Sequence, residues 1–139
     1  MNWNSRTQLL VGEEGIKKLA SSHVLVVGLG GVGAYAAEQL ARAGVGKLTI
    51  VDSDIVNVTN KNRQLLALES TIGRPKVEVM AERIRDINPD VEVVAMNQYL
   101  KDQSIIDLME QPFDFIVDAI DTLAPKVFLL YYAVQNKQN

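Results

Sequence analysis

The residue types that could do chemistry in this chain gather around a phosphate. Gly28, Gly30 and Gly33 form a G-x-G-x-x-G pattern, with Gly31 inside it, directly after the apolar run at 24–28. Glycine permits a tight turn and lets backbone approach an anion. A helix starting there adds unpaired N–H groups and partial positive charge. Asp52 follows at the roughly 20-residue spacing at which a carboxylate accepts ribose hydroxyls. Ribose is common to NAD and ATP, so these residues leave both open. A plain strand–helix turn with a loop aspartate is the alternative without function.

The residues that choose come next. In 57–64, Asn-Val-Thr-Asn-Lys-Asn-Arg-Gln, Arg63 offers a planar fork for phosphate oxygens and Asn60 a neutral donor. Lys76 follows Gly73-Arg74-Pro75 at a helix start, where acidic residues are the usual choice. Two cations there, Arg74 and Lys76, make sense beside a polyphosphate; otherwise the segment is a solvated charged loop. Asp121 follows the fourth predicted strand, and a carboxylate opposite a triphosphate is most useful as a magnesium ligand. Asp118 is a second candidate at the strand end, and Asp114 at its start should lie far from the site.

These residues must be held by a frame, and the hydrophobic pattern supplies one. Strands are predicted at 24–28, 47–51, 91–96 and 113–117, the first a continuous apolar run typical of a strand buried on both faces. Helices are predicted at 12–20, 34–43, 74–87, 102–110 and 126–135, with a loop over 53–64. Alternating strands and helices imply right-handed crossovers and a Rossmann-like, doubly wound α/β fold with a mainly parallel sheet in order 3-2-1-4. Strands 1 and 4 then flank the crevice where such sheets bind ligands. That sets Asp121 across from the glycine loop. The last helix has almost no polar face, so something should cover it: a partner subunit or, as we read it, a further half of the fold.

Composition bounds the rest. The 139 residues suit one domain, residues 1–139, with 47% hydrophobic and 22% charged residues. A net charge of −3 gives no basic footprint for nucleic acid. The chain has no cysteine, which removes disulfides, thiolate metal sites and a cysteine nucleophile from it. No apolar run approaches a membrane span and no signal-peptide pattern opens the chain, so the expected location is cytoplasmic. His23 reads as structural, Trp3 as a packing or dimer anchor, and Tyr131 and Tyr132 as core.

Taken together, Gly28-Leu-Gly-Gly-Val-Gly33, Asp52-Ser-Asp54, Asn60-Lys-Asn-Arg-Gln64, Gly73-Arg-Pro-Lys76 and Asp118-Ala-Ile-Asp121 resemble the ubiquitin-activating-like adenylating superfamily, the MoeB/ThiF/HesA group. Ser5-Arg-Thr, Ala43-Gly-Val-Gly46, the stretch 79–89 and Asp118-Ala-Ile-Asp-Thr122 with Pro125-Lys126 are most similar to its tRNA threonylcarbamoyladenosine dehydratase branch. The resemblance implies attack of a carboxylate on the α-phosphate of ATP with release of pyrophosphate. In that branch it implies cyclising dehydration of threonylcarbamoyladenosine in tRNA.

By the same resemblance, Gly28, Gly30, Gly31 and Gly33 cradle phosphate and Asp52 holds the ribose. Asn60, Arg63 and Lys76 stabilise charge on the transferring phosphoryl group, and Asp121 holds Mg2+. Gln64 and Asp54 support the loop, with Asp54 orienting Arg63. Arg6 matches an arginine that reaches the other subunit's nucleotide in a homodimer. By the resemblance, family members run roughly a hundred residues longer, so the chain is expected to be an N-terminal portion that lacks the substrate half and completes no reaction by itself. Three rival readings stay open: adenylation of a sulfur-carrier or ubiquitin-like protein C-terminus, an NAD-dependent oxidoreductase, and a non-catalytic nucleotide-binding module. The oxidoreductase leaves Arg63, Lys76 and Asp121 idle.

Overall fold

Alternation within the two central strands decides the architecture. In the computed structural model, which describes residues 2–139, β1 (His23–Val27) and β2 (Lys47–Asp52) send neighbouring side chains to opposite faces, and both faces are buried. Val24, Val26, Leu48 and Ile50 enter one core with residues of α2 (Gly33–Ala43) and α3 (Lys76–Ile87). Leu25, Val27 and Val51 enter a second core with α4 (Asp102–Met109) and α5 (Leu123–Gln135). Helices on both faces of a parallel sheet make a three-layer α/β domain.

The sheet runs β3-β2-β1-β4, with β3 at Glu92–Asn97 and β4 at Phe115–Asp118, and every pairing is parallel. This is the expected order. Val27 stands opposite Val51 on one side and Asp118 on the other. The carboxyl ends of the three strands therefore meet where the order reverses, the place such sheets bind ligands.

Several boundaries differ from the sequence reading, each for a local reason. The first helix, α1, spans Ser5–Ala20 rather than starting at Gly12, which sits inside it with φ 75 as a kink. Seven residues before that break are helical yet bury nothing, and Leu9 and Leu10 are 83% and 86% exposed. Apolar periodicity could not find a helix with no inward face. The loop after β2 contains one 3-10 turn, Val58–Asn60. β4 starts two residues late because Asp114 donates to the His23 carbonyl while Phe113 is buried against the His23 ring, centroids 4.6 Å apart. α5 starts three residues early, since Pro125 is compatible with a first helical turn.

The last helix is only half covered. Leu129 is buried, while Leu123, Val127, Leu130, Tyr131 and Val134 are exposed. Among the described residues no helix is long and apolar enough to cross a membrane.

Candidate functional site

The glycines of the first turn divide by what surrounds them. A Cβ on Gly33 would stand 1.6 Å from the Gly28 carbonyl oxygen, and one on Gly28 would stand 2.4 Å from that of Ala119. Gly28 also has φ +95, a conformation other residues adopt only under strain. Those two glycines let β1, α2 and the loop after β4 touch. Gly30 and Gly31 are different: their added Cβ atoms would meet only Gln64 and Arg63, at ordinary contact distance. Protein packing does not require them, so their missing side chains serve the open space above. No side chain caps the N-terminus of α2, where the Ala34 N–H makes only a long 3.4 Å bond to the Gly30 carbonyl.

Asp52 ties the turn down. One oxygen accepts the Leu29 N–H at 2.7 Å and the other the Asp54 N–H at 2.7 Å. A carboxylate has about four lone-pair sites, so roughly two remain for a ligand. Around it runs one crevice with two lobes. The first, about 540 Å3, lies between the ends of β2 and β3 and the start of α5, with Tyr99, Leu100, Ile120 and Pro125 in its walls. The second, about 1130 Å3, lies over the glycine turn and is walled by Arg63, Gln64, Lys76, Asp118, Asp121 and Lys126. Gly28, Asp52, Asp54, Ile120 and Asp121 belong to both lobes.

The second lobe is built to receive an anion. Lys76 is only 5% exposed, and its nearest carboxylate, the well-exposed Asp54, is 3.8 Å away. A buried ammonium so weakly paired is costly, and an anionic ligand would offset that cost. The Gln64 Oε1 atom in the same wall is buried with no hydrogen-bond partner, an acceptor that a ligand hydroxyl or N–H would satisfy and an anion would not. Asp121 faces the lobe from the other side, exposed and without a protein partner among the described residues. One free carboxylate fits Mg2+, which keeps several waters and takes a carboxylate or two plus substrate phosphates. Among the described residues no cluster of three or more metal-ligating side chains exists.

The structure thus brings together Gly28, Gly30, Gly31, Asp52, Asp54, Arg63, Gln64, Lys76 and Asp121, with Gly33 beneath them. It also shows four placements that the sequence did not foresee. Asp54 pairs with Lys76, not Arg63; the Arg63 Nη1 donates instead to Asn62 Oδ1 at 2.9 Å and to the Thr59 carbonyl at 3.3 Å. Arg74 turns along α3 to pair with Glu82, leaving Lys76 as the cation of that helix start. Asn60 stands outside the crevice walls, its amide oxygen accepting the Asn57 N–H at 2.8 Å to cap the 3-10 turn. Arg6 lies on α1 in a separate hollow with Gln8, Leu9 and Glu13. Tyr99, Leu100, Pro125 and Lys126 went unnoticed as site residues, although each follows a strand's carboxyl end, where ligands gather. His23 is structural as expected, with Nε2 2.8 Å from Thr49 Oγ1.

Comparison with known proteins gives this crevice a setting. A model of the ThiF family matches residues 4–139. The chain is 47% identical over 126 residues to tRNA threonylcarbamoyladenosine dehydratase of Bacillus subtilis (strain 168), covering 91% of this chain and 50% of that protein. It is 40% identical over 111 residues to molybdopterin-synthase adenylyltransferase of Escherichia coli (strain K12), covering 80% and 44%. The crystal structure of E. coli tRNA N6-threonylcarbamoyladenosine dehydratase in complex with ATP superposes with TM-score 0.95 at 43% identity, covering 96% of this chain and 55% of that one. The chain spans about half the length of the relatives it matches.

Proposed function

The chain belongs to the ThiF family, and from that premise we propose that it forms the nucleotide-binding part of an enzyme that activates a carboxylate by adenylation. The observation that carries this is the second lobe, where a buried and barely paired Lys76 and an orphaned Gln64 oxygen meet an uncapped helix end across from Asp121. A triphosphate with one magnesium ion would satisfy the ammonium, the helix end and Asp121, while the Gln64 oxygen, an acceptor, calls for a hydroxyl or N–H donor. The first lobe, with Tyr99, Leu100, Ile120 and Pro125 around an apolar slot, takes the adenine, and Asp52 holds the ribose between the lobes.

In the reaction, a substrate carboxylate oxygen attacks the α-phosphorus and pyrophosphate leaves with the bonding pair. Negative charge grows on the phosphoryl oxygens, and fixed cations in a partly dehydrated cleft stabilise it most. Lys76 does this from a fixed position. Arg63 does so after releasing Asn62 and Thr59, and Asn60 offers its free amide nitrogen from the edge. Asp121 would hold magnesium, which would supply charge neutralisation to the phosphates. Arg6 completes the site of a second copy in a homodimer. The substrate we propose is threonylcarbamoyladenosine in tRNA, whose activated carboxylate expels AMP on ring closure. The support is the dehydratase relative, with its higher identity and coverage than the adenylyltransferase.

Thermal unfolding with ATP and magnesium, against NAD, tests the nucleotide. A ligand at about 100 times its Kd adds about 2.7 kcal/mol to native stability, several degrees for a domain of this size. A shift with NAD and none with ATP would sink the reading.

A further inference from the structure

Two lysines line the second lobe from the first turns of helices, where the dipole disfavours a cation: Lys76 opens α3 and Lys126 lies near the start of α5. Their partners differ. Lys76 has only an exposed carboxylate at 3.8 Å, whereas the Lys126 ammonium sits 2.9 Å from Asp118 Oδ2, on a carboxylate 14% exposed. The same ammonium donates to the Ile120 carbonyl at 3.3 Å, and the other oxygen of Asp118 accepts the Ile120 N–H at 3.2 Å. Both oxygens of Asp118 are therefore engaged, and the backbone of Ile120 is gripped at its two ends. Asp121 is the next residue.

The Ile120 side chain also packs against the second core and Ala119 lies against Gly28 and Gly33, so the bonds to Asp118 and Lys126 are the polar part of the loop's anchoring. Ala119 donates to the Val27 carbonyl at 2.9 Å where the strand ends, and beyond Ile120 the chain turns into α5 through the exposed Thr122. The bonds on Ile120 add direction to that packing and help set the aim of Asp121. Charge points the same way. Unpaired, Asp118 would add an uncompensated anion to a wall that already holds Asp52, Asp54 and Asp121, and like charges close together are costly.

We propose that Lys126 is a positioning residue for magnesium–nucleotide binding: it neutralises Asp118 and, with it, clamps the Ile120 backbone so that, of the Asp118–Asp121 pair, Asp121 is the carboxylate left free for the ligand. This rests on the ATP reading above. It assigns the two carboxylates of Asp118-Ala-Ile-Asp121 opposite duties, one a strut and one a ligand.

The test compares binding of magnesium–ATP and of AMP without magnesium, by calorimetry, for the wild-type chain and three variants. Lys126→Met should weaken magnesium–ATP about tenfold or more while changing AMP by less than about threefold, because AMP does not call on Asp121. Lys126→Arg should recover most of the loss. Asp118→Asn with Lys126→Met should recover part of it, since the amide removes the stranded charge. Equal losses for both nucleotides would make Lys126 a general fold element and overturn the proposal, as would no loss at all. A double variant no better than Lys126→Met would also overturn it, because Lys126 would then act on phosphate directly. Wild-type chain that binds neither nucleotide would refute the ATP reading itself, and the proposal with it.

Discussion

Alanine at Gly33 and at Gly30 should separate two reasons for having glycine within one four-residue turn. At Gly33 the new methyl would sit 1.6 Å from the Gly28 carbonyl oxygen, with its carbon 2.7 Å away, and both are backbone atoms that no rotamer can move. The start of α2 must back off the end of β1 by more than an ångström. Overpacking a tight core costs about 1–3 kcal/mol and sometimes more, and a clash against two backbone atoms belongs at the top of that range. At about 3 kcal/mol the unfolding midpoint falls by roughly 10 °C. At Gly30 the nearest atom is Gln64 Nε2 at 3.7 Å and φ is not in the left-handed region, so no clash arises. Replacing glycine by alanine there should leave stability within about 0.5 kcal/mol of wild type, or raise it slightly through lower unfolded-chain entropy. The methyl would project where phosphate oxygens must approach. Thermal unfolding with and without magnesium–ATP reads both effects. Gly33→Ala should lower the midpoint of the free protein. Gly30→Ala should keep that midpoint and lose most of the nucleotide-induced rise. If Gly30→Ala destabilises the free protein as much as Gly33→Ala, or keeps the full rise, the division of the glycines is wrong.

Other substitutions probe the charges. Lys76→Met should keep or raise the stability of the free protein, by up to about 1 kcal/mol, because it removes a buried and weakly paired ammonium. The same change should weaken ATP about tenfold or more in calorimetry, and a loss of stability with unchanged binding would refute the assigned role. Burial alone would raise the Glu38 carboxyl, yet hydrogen bonds from Arg83 and Arg42 outweigh it and hold the group below its ordinary 4.5. Its contribution is complete above that value and fades as pH falls through the lowered one. Unfolding midpoints below pH 4.5 should therefore drop less steeply in Glu38→Gln, whose midpoint at neutral pH is lower by about 1–3 kcal/mol of stability. His23 is held below its ordinary 6.5 by burial and by Lys47. The unfolded chain then takes up a proton that the folded one refuses, and stability declines as pH drops from 6.5 toward the lowered value. His23→Gln should flatten that part of the curve, and an unchanged slope would show that another group titrates there.

What could be read beforehand was whatever has a period or a motif. The strand order followed from two short apolar runs and the alternation of elements, and the glycine turn and Asp52 announced themselves by spacing. The partner choices of exposed charges were not legible. Asp54 and Arg63 lie in one polar loop, and nothing in their order says that Asp54 pairs with Lys76 while Arg63 holds Asn62. Arg74 and Lys76 looked alike as cations at one helix start, yet side-chain direction sends the first to Glu82 and buries the second. Tyr99 and Leu100 carry no motif, so only their place at the end of β3 reveals them. The helical stretch before Gly12 buries nothing, so no inward stripe marked it.

Glu38 has a consequence beyond stability. It is buried in the middle of α2, and one of its oxygens takes Arg42 from its own helix at 3.1 Å and Arg83 from α3 at 2.8 Å. The N-terminus of α2 is one jaw of the phosphate lobe, and the first residue of α3, Lys76, is the other. The ion triad thus works as the pivot of a pair of pliers whose tips are the ligand site. If the proposed nucleotide binds there, loosening this tie would let helix end and ammonium drift apart with no change in either, and affinity would depend on a residue that does not line the crevice.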